Sequence, residues 1–206
     1  MTLTMRFLGS FRAANGDEAV HVPSKRGRAL LAALVLAPEM RLSRQAAAAL
    51  LWPDRDEIQA RASLRQELSS LKKALGSAGD NILSSDTDTI SIAPDAPVDC
   101  DLWSILREDA VPETAMTLLS GELLDDVDLP LESFEEWLAT QRRVLRARLV
   151  ELAERHLHAA TRKQDWPAAE ACAARLTEFD PFNETAIEVL MRAAAESGRR
   201  AQALSL

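Results

Sequence analysis

Arg61, Arg65, Gln66, Ser69, Lys72 and Lys73 lie close together in a stretch whose apolar residues keep a helical beat. Leu64, Leu68, Leu71 and Leu75 recur at i, i+4, i+7 and i+11, the spacing of one buried helix face. At about 100° per residue, Lys72, Arg65, Ser69, Ala62, Lys73 and Gln66 fall between about 80° and 200° from Leu64. Together they form one continuous polar face. Its side chains suit nucleic-acid chemistry: Arg65 can pair bidentately with guanine and Gln66 with adenine. Lys72, Lys73 and Arg61 suit phosphate oxygens, which position a protein without specifying sequence. A solvated helix surface would look the same, so this helix alone leaves both readings open.

The neighbouring elements give the helix a setting. Leu3, Met5 and Phe7 alternate as in a half-buried strand. Phe11–Ala14 and Ala19–Val22 flank Asn15-Gly16, a hairpin signal. Ser24 is placed to cap a helix over Lys25–Leu36, and Ser43 a second over Arg44–Leu51; Pro38 and Pro53 end them. The third helix covers residues 58–75, with Gly76 as its stop. Asn81–Ser85 and Thr89–Ala93 flank Asp86-Thr87-Asp88 as a second hairpin, a wing. Strands, three helices and a hairpin make a winged helix-turn-helix. Lys25, Arg26 and Arg28 at the first helix, with Arg41 and Arg44 at the second, are candidate auxiliary phosphate contacts. Cations at a helix N-terminus oppose its dipole and hint at an outside anion, although a solvated surface is the commoner fate.

Pro94-Asp95-Ala96-Pro97 marks a boundary, giving domains 1–97 and 98–206. Beyond it strand signals vanish and helices are expected over Leu102–Asp109, Pro112–Leu119, Phe134–Thr161, Pro167–Glu178, Asn183–Ser197 and from Arg199. An offset of 34 pairs Leu157 with Met191, Ala159 with Ala193, Ala160 with Ala194, Arg162 with Glu196 and Ala169 with Ala203. That period is the tetratricopeptide signature. The fold class expected is therefore an α+β winged helix-turn-helix followed by an all-α, tetratricopeptide-like domain.

Charge is divided unevenly. Residues 1–100 carry equal numbers of basic and acidic side chains, so the whole net charge of −8 lies in the second half. A neutral first half with a local basic stripe can still meet phosphate. Asp125, Asp126, Asp128, Glu132, Glu135 and Glu136 read as a solvated acidic loop, or a face for a basic partner. Trp52, Trp103, Trp137 and Trp166 read as core, with Trp137 anchoring the long helix against earlier helices of the second half. Cys100 and Cys172 stand apart, outside any CxxC or His/Cys cluster, and read as free buried thiols. His21, His156 and His158 show no triad or ligand spacing. No P-loop, GxSxG, HExxH or GxGxxG pattern appears, so no catalysis, metal or cofactor is expected. Neither a signal peptide nor a membrane-length apolar run is present, and the expected location is cytoplasmic.

With both halves in view, the chain resembles antibiotic-regulatory-protein-type bacterial regulators, which join an OmpR-like winged helix to a bacterial transcriptional activator domain of tetratricopeptide type. The resemblance rests on Phe7-Leu8-Gly9-Ser10-Phe11, Arg28-Ala29-Leu30-Leu31-Ala32-Ala33-Leu34, Leu50-Leu51-Trp52-Pro53-Asp54 and Ala62-Ser63-Leu64-Arg65 in the first half. In the second it rests on Val98-Asp99-Cys100-Asp101, Leu119-Ser120-Gly121-Glu122-Leu123-Leu124, Phe134-Glu135-Glu136-Trp137-Leu138, Phe179-Asp180-Pro181-Phe182-Asn183-Glu184 and Leu190-Met191-Arg192. It implies a regulator, an activator, that binds direct repeats in double-stranded promoter DNA, with the helical half serving dimerisation, RNA polymerase contact or coupling to an effector domain. It also implies that the activator domain continues past Leu206, so a fragment or short form is expected. Where family members often carry Gly-Tyr in the wing, this chain reads Ser85-Asp86-Thr87-Asp88-Thr89. The acidic wing and neutral first half leave an alternative: a tetratricopeptide-type adaptor whose winged helix is degenerate.

Overall fold

The computed structural model describes residues 2–76, 79–107, 109–119 and 121–196. They form two compact units: Met1–Trp103 with Glu122–Arg142, and Ser104–Gly121 with Arg143–Leu206.

In the first unit a four-stranded sheet has the order β3-β2-β1-β7. Its strands are β1 (Leu3–Arg6), β2 (Arg12–Asn15), β3 (Glu18–Val20) and β7 (Val98–Cys100). The first hairpin forms as its sequence suggests, but Asn15 pairs with Glu18, so the two turn residues are Gly16 and Asp17. Gly16 takes φ 63, a left-handed value that glycine meets without a Cβ penalty. β7 corrects the expectation that strands end at Pro97. It pairs parallel to β1, Leu3 with Val98 and Met5 with Cys100. Three residues are too few to show a period, and the strand exists because β1 offers an open edge.

Three helices pack beside a second, three-stranded sheet of order β4-β6-β5: β4 (Arg41–Ser43), β5 (Leu83–Ser85) and β6 (Thr89–Ile92). α1 (Lys25–Leu36) and α2 (Arg44–Leu51) have the expected bounds and caps, with Ser24 and Ser43 hydroxyls accepting from the Gly27 and Ala46 amides. α3 spans Glu57–Ala74, capped by Asp56 through the Gln59 amide. Leu64, Leu68, Leu71 and Leu75 are all buried, each contributing about 1.5–3 kcal/mol. Gly76 follows at φ 64, the residue type and conformation that end helices. The short helix α4 (Gly79–Ile82) occupies the start of the segment expected as the first wing strand. β4 is a third addition, pairing Leu42 with Ile90.

Residues of the expected second domain complete this unit. Glu122–Arg142 contributes Leu123, Leu124, Val127, Leu129, Leu131, Phe134 and Leu138 to buried positions. Asp126 is no freely solvated acid: one oxygen accepts from the Phe11 amide at 2.8 Å and the other pairs with Arg28 at 2.6 Å. The Ser133 hydroxyl donates to the Leu50 carbonyl at 3.0 Å. Trp137 is half-buried and stacks on Phe134 within the first unit. Asp101 lies 2% exposed at the start of α5 (Asp101–Leu106), where its carboxylate accepts from the Phe7 and Leu8 amides. Burial pushes its pKa up against those hydrogen bonds.

The second unit is helical. It takes α6 (Pro112–Leu118), the later part of α7 (Glu132–Arg162), α8 (Trp166–Phe179) and α9 (Glu184–Glu196). Asp165 caps α8 through the Ala168 amide, and Asn183 caps α9 through the Ala186 amide. Small residues line the helix packing: Ala169, Cys172 and Ala173 on α8, and Ala186, Ala193 and Ala194 on α9, are buried. The repeat holds at Ala160 and Ala194, both buried, but Leu157 is buried while its counterpart Met191 is 41% exposed. Ala203 and the helix expected from Arg199 lie outside the described residues. Both cysteines are free and buried, and burial raises Cys100 to about 12 and Cys172 to about 11.

Candidate nucleic-acid interface

α3 buries its leucine stripe and leaves Arg61, Ala62, Arg65, Gln66, Ser69 and Lys73 exposed, with Lys72 half-buried. The wing stands beside it. Between them lies a cleft of about 1060 Å³ lined by Arg61, Arg65, Ser69, Lys72 and Lys73 of α3, Arg44 of α2, Asp80, and Ser85–Thr87 of the wing. Five of the sequence candidates on α3 thus share one cleft with Arg44. Ala62 and Gln66 are exposed on the same helix but are not among the lining residues.

Two of these cations form ion pairs. Arg61 meets Glu57 at 2.9 Å, one helical turn back, and Lys72 meets Asp80 at 3.1 Å. Exposed pairs of this kind are worth about 0–1 kcal/mol, too little to withhold either cation from a phosphate. The charges on α3 also follow its dipole, with Asp56 and Glu57 at the N-terminal end and Lys72 and Lys73 in the last turn.

The auxiliary cations separate into groups. Arg28 turns inward, donating Nε to the Val22 carbonyl at 2.8 Å and pairing with Asp126 at 2.6 Å, so its guanidinium is engaged within the protein. Arg26 is largely engaged too, with Nε on the Leu51 carbonyl at 2.9 Å and its guanidinium over Trp52. Lys25 reaches the Asp128 carbonyl at 3.1 Å. Arg41 is exposed on β4. Sequence patterning gave no reason to rank Arg44 above the other four. Its place in the cleft follows from β4 pairing with β6, which no local signal announced.

The wing acids also acquire a local role. Asp86 accepts from the Asp88 amide at 2.8 Å, the Thr89 amide at 2.7 Å and the Thr89 hydroxyl at 2.8 Å. Those bonds lower its pKa, the Thr89 amide most. Asp80 was not foreseen as a partner of Lys72, and α4, which carries it, left no periodic signal. Among the described residues no group of three or more His, Cys, Asp or Glu could hold a metal, and no helix is long and apolar enough to cross a membrane.

The described residues thus form a winged helix followed in sequence by a helical domain. Residues 107–206 match the family model described as Bacterial transcriptional activator domain. The structure of Mycobacterium tuberculosis EmbR in complex with a low affinity phosphopeptide is similar over 98% of this chain and 57% of that one, with TM-score 0.69 and 25% identity. The chain thus spans little more than half of that relative's length. No curated protein matches it. On these findings the second half of the chain is similar to the bacterial transcriptional activator domain, and the chain shares the fold of the EmbR structure.

Proposed function

We propose that this chain is a transcription regulator that binds promoter DNA, with α3 in the major groove and the wing against the flanking backbone. The observation that carries this reading is the shared cleft: Arg44, Arg61, Arg65, Lys72 and Lys73 converge on it, with Asp80 and Asp86 the acids among the described lining residues. Arg65 and Gln66 are the base readers, Ala62 and Ser69 the close-approach positions, and Arg61, Lys72, Lys73 and Arg44 the phosphate contacts, with Arg41 beside them. The first unit, residues 1–103 with 122–142, supplies the DNA binding, and the helical second unit supplies contacts to RNA polymerase, a second copy or an effector. The alternative, a tetratricopeptide-type adaptor, is motivated by the neutral first half and the acidic wing; the bonds that Asp86 makes within its turn give one of the two wing acids a local role.

The test is binding of the purified chain to labelled promoter DNA from its own gene neighbourhood across a salt series. Four or five phosphate contacts give a slope of log K against log salt of roughly −4. Binding that is absent at low salt refutes the reading.

A further inference from the structure

The wing turn and the start of α2 are stitched together by main-chain bonds. The Arg44 amide donates to the Asp88 carbonyl at 2.8 Å, and Ser43 pairs with Thr89. The Arg44 guanidinium donates to the Asp86 carbonyl at 3.3 Å. Both acceptor carbonyls belong to the turn that the Asp86 carboxylate builds, and the Asp86 amide closes it on the Thr89 carbonyl at 3.0 Å. The bond to Asp86 uses one of five guanidinium donors, leaving the others for a ligand. The carboxylate already faces three donors, so its charge is partly offset where DNA would approach.

We propose that Asp86 is a positioning residue that fixes the wing turn and thereby holds Arg44 in the cleft as a phosphate clamp, so that this acid strengthens DNA binding. The role rests on the DNA-binding reading above. An acid that merely faced DNA would act the other way, since like charges repel and its removal would tighten binding.

The experiment measures promoter-DNA binding across a salt series for the wild-type chain, Asp86→Ala, Asp86→Asn, Arg44→Ala and the Asp86→Ala/Arg44→Ala pair. Asp86→Ala should bind about tenfold more weakly, the scale of one charged hydrogen bond, with a salt slope smaller by about one. Asp86→Asn keeps an acceptor for the same turn without the charge, so it should bind at least as tightly as wild type with an unchanged slope. In the Arg44→Ala background, Asp86→Ala should change neither affinity nor slope. The proposal is overturned if Asp86→Ala binds as tightly as wild type or tighter, if Asp86→Asn fails as alanine does, or if the alanine loss persists without Arg44. Wild-type chain that binds no DNA instead overturns the reading beneath it.

Discussion

Replacing Asp126 with alanine removes a carboxylate that serves two partners in the first unit. Its oxygens meet the Phe11 amide at 2.8 Å and the Arg28 guanidinium at 2.6 Å, with Asp126 and Arg28 side chains 28% and 19% exposed. A hydrogen bond to a charged group is worth about 1.5–3 kcal/mol. Water reaches both side chains in part, so the combined loss should be about 2–4 kcal/mol rather than the full sum. With a urea dependence of about 2 kcal/mol/M, the midpoint should fall by about 1–2 M. The assay is urea unfolding followed by tryptophan fluorescence, since Trp52, Trp103 and Trp137 all lie in this unit. A cycle with Arg28→Ala isolates the pair, and a coupling of about 1–2 kcal/mol is expected. A midpoint shift below about 0.3 M, or no coupling to Arg28, would refute the claim that residues 122–142 are fastened into the winged-helix unit through Asp126.

Three other outcomes follow. A Cβ on Gly27 would meet Glu67 Oε1 at 2.7 Å, which can swing aside, and Leu71 Cδ2 at 3.0 Å, which must give slightly; set against the helix-propensity gain of about 1 kcal/mol, Gly27→Ala should shift stability by less than about 1 kcal/mol in the same unfolding assay. Cys100 and Cys172, raised to about 12 and about 11 by burial, should resist an aromatic disulfide reagent at pH 8 in the native chain and both react in denaturant. Asp101 has its folded pKa raised above the ordinary 3.8, so its charged form costs stability above the folded pKa. That cost fades as pH falls through the folded pKa towards 3.8. Wild type should therefore gain on Asp101→Asn as the medium is acidified through this window, read as the difference between their unfolding midpoints.

Much of the fold could be read locally because its signals are local. Ser24, Ser43 and the leucine stripe of α3 act within a turn or two of themselves, and each element they imply appears within a residue or two of its expected bounds. The basic face was legible for the same reason, since helical periodicity places Arg61, Arg65, Ser69, Lys72 and Lys73 together before any tertiary contact forms. What escaped is non-local. β7 and β4 are three-residue strands defined by their partners, and Arg28 could not be told from a surface cation without Asp126, far away in sequence. The acidic segment is solvated as read at Asp125, Asp128, Glu132, Glu135 and Glu136, while Asp126 departs for a related reason: composition marks a segment as polar, but this one carboxylate closes a hydrogen-bond network.

The most direct measurement is sequence preference. The wild-type chain and an Arg65→Ala/Gln66→Ala double variant would be titrated against the promoter site and against scrambled duplex at one fixed salt concentration. If α3 reads bases, wild type should prefer the site by a factor that the double variant largely loses, at about 1–3 kcal/mol per base contact, while binding to scrambled DNA changes far less. An undiminished preference in the double variant would contradict α3 as the reader.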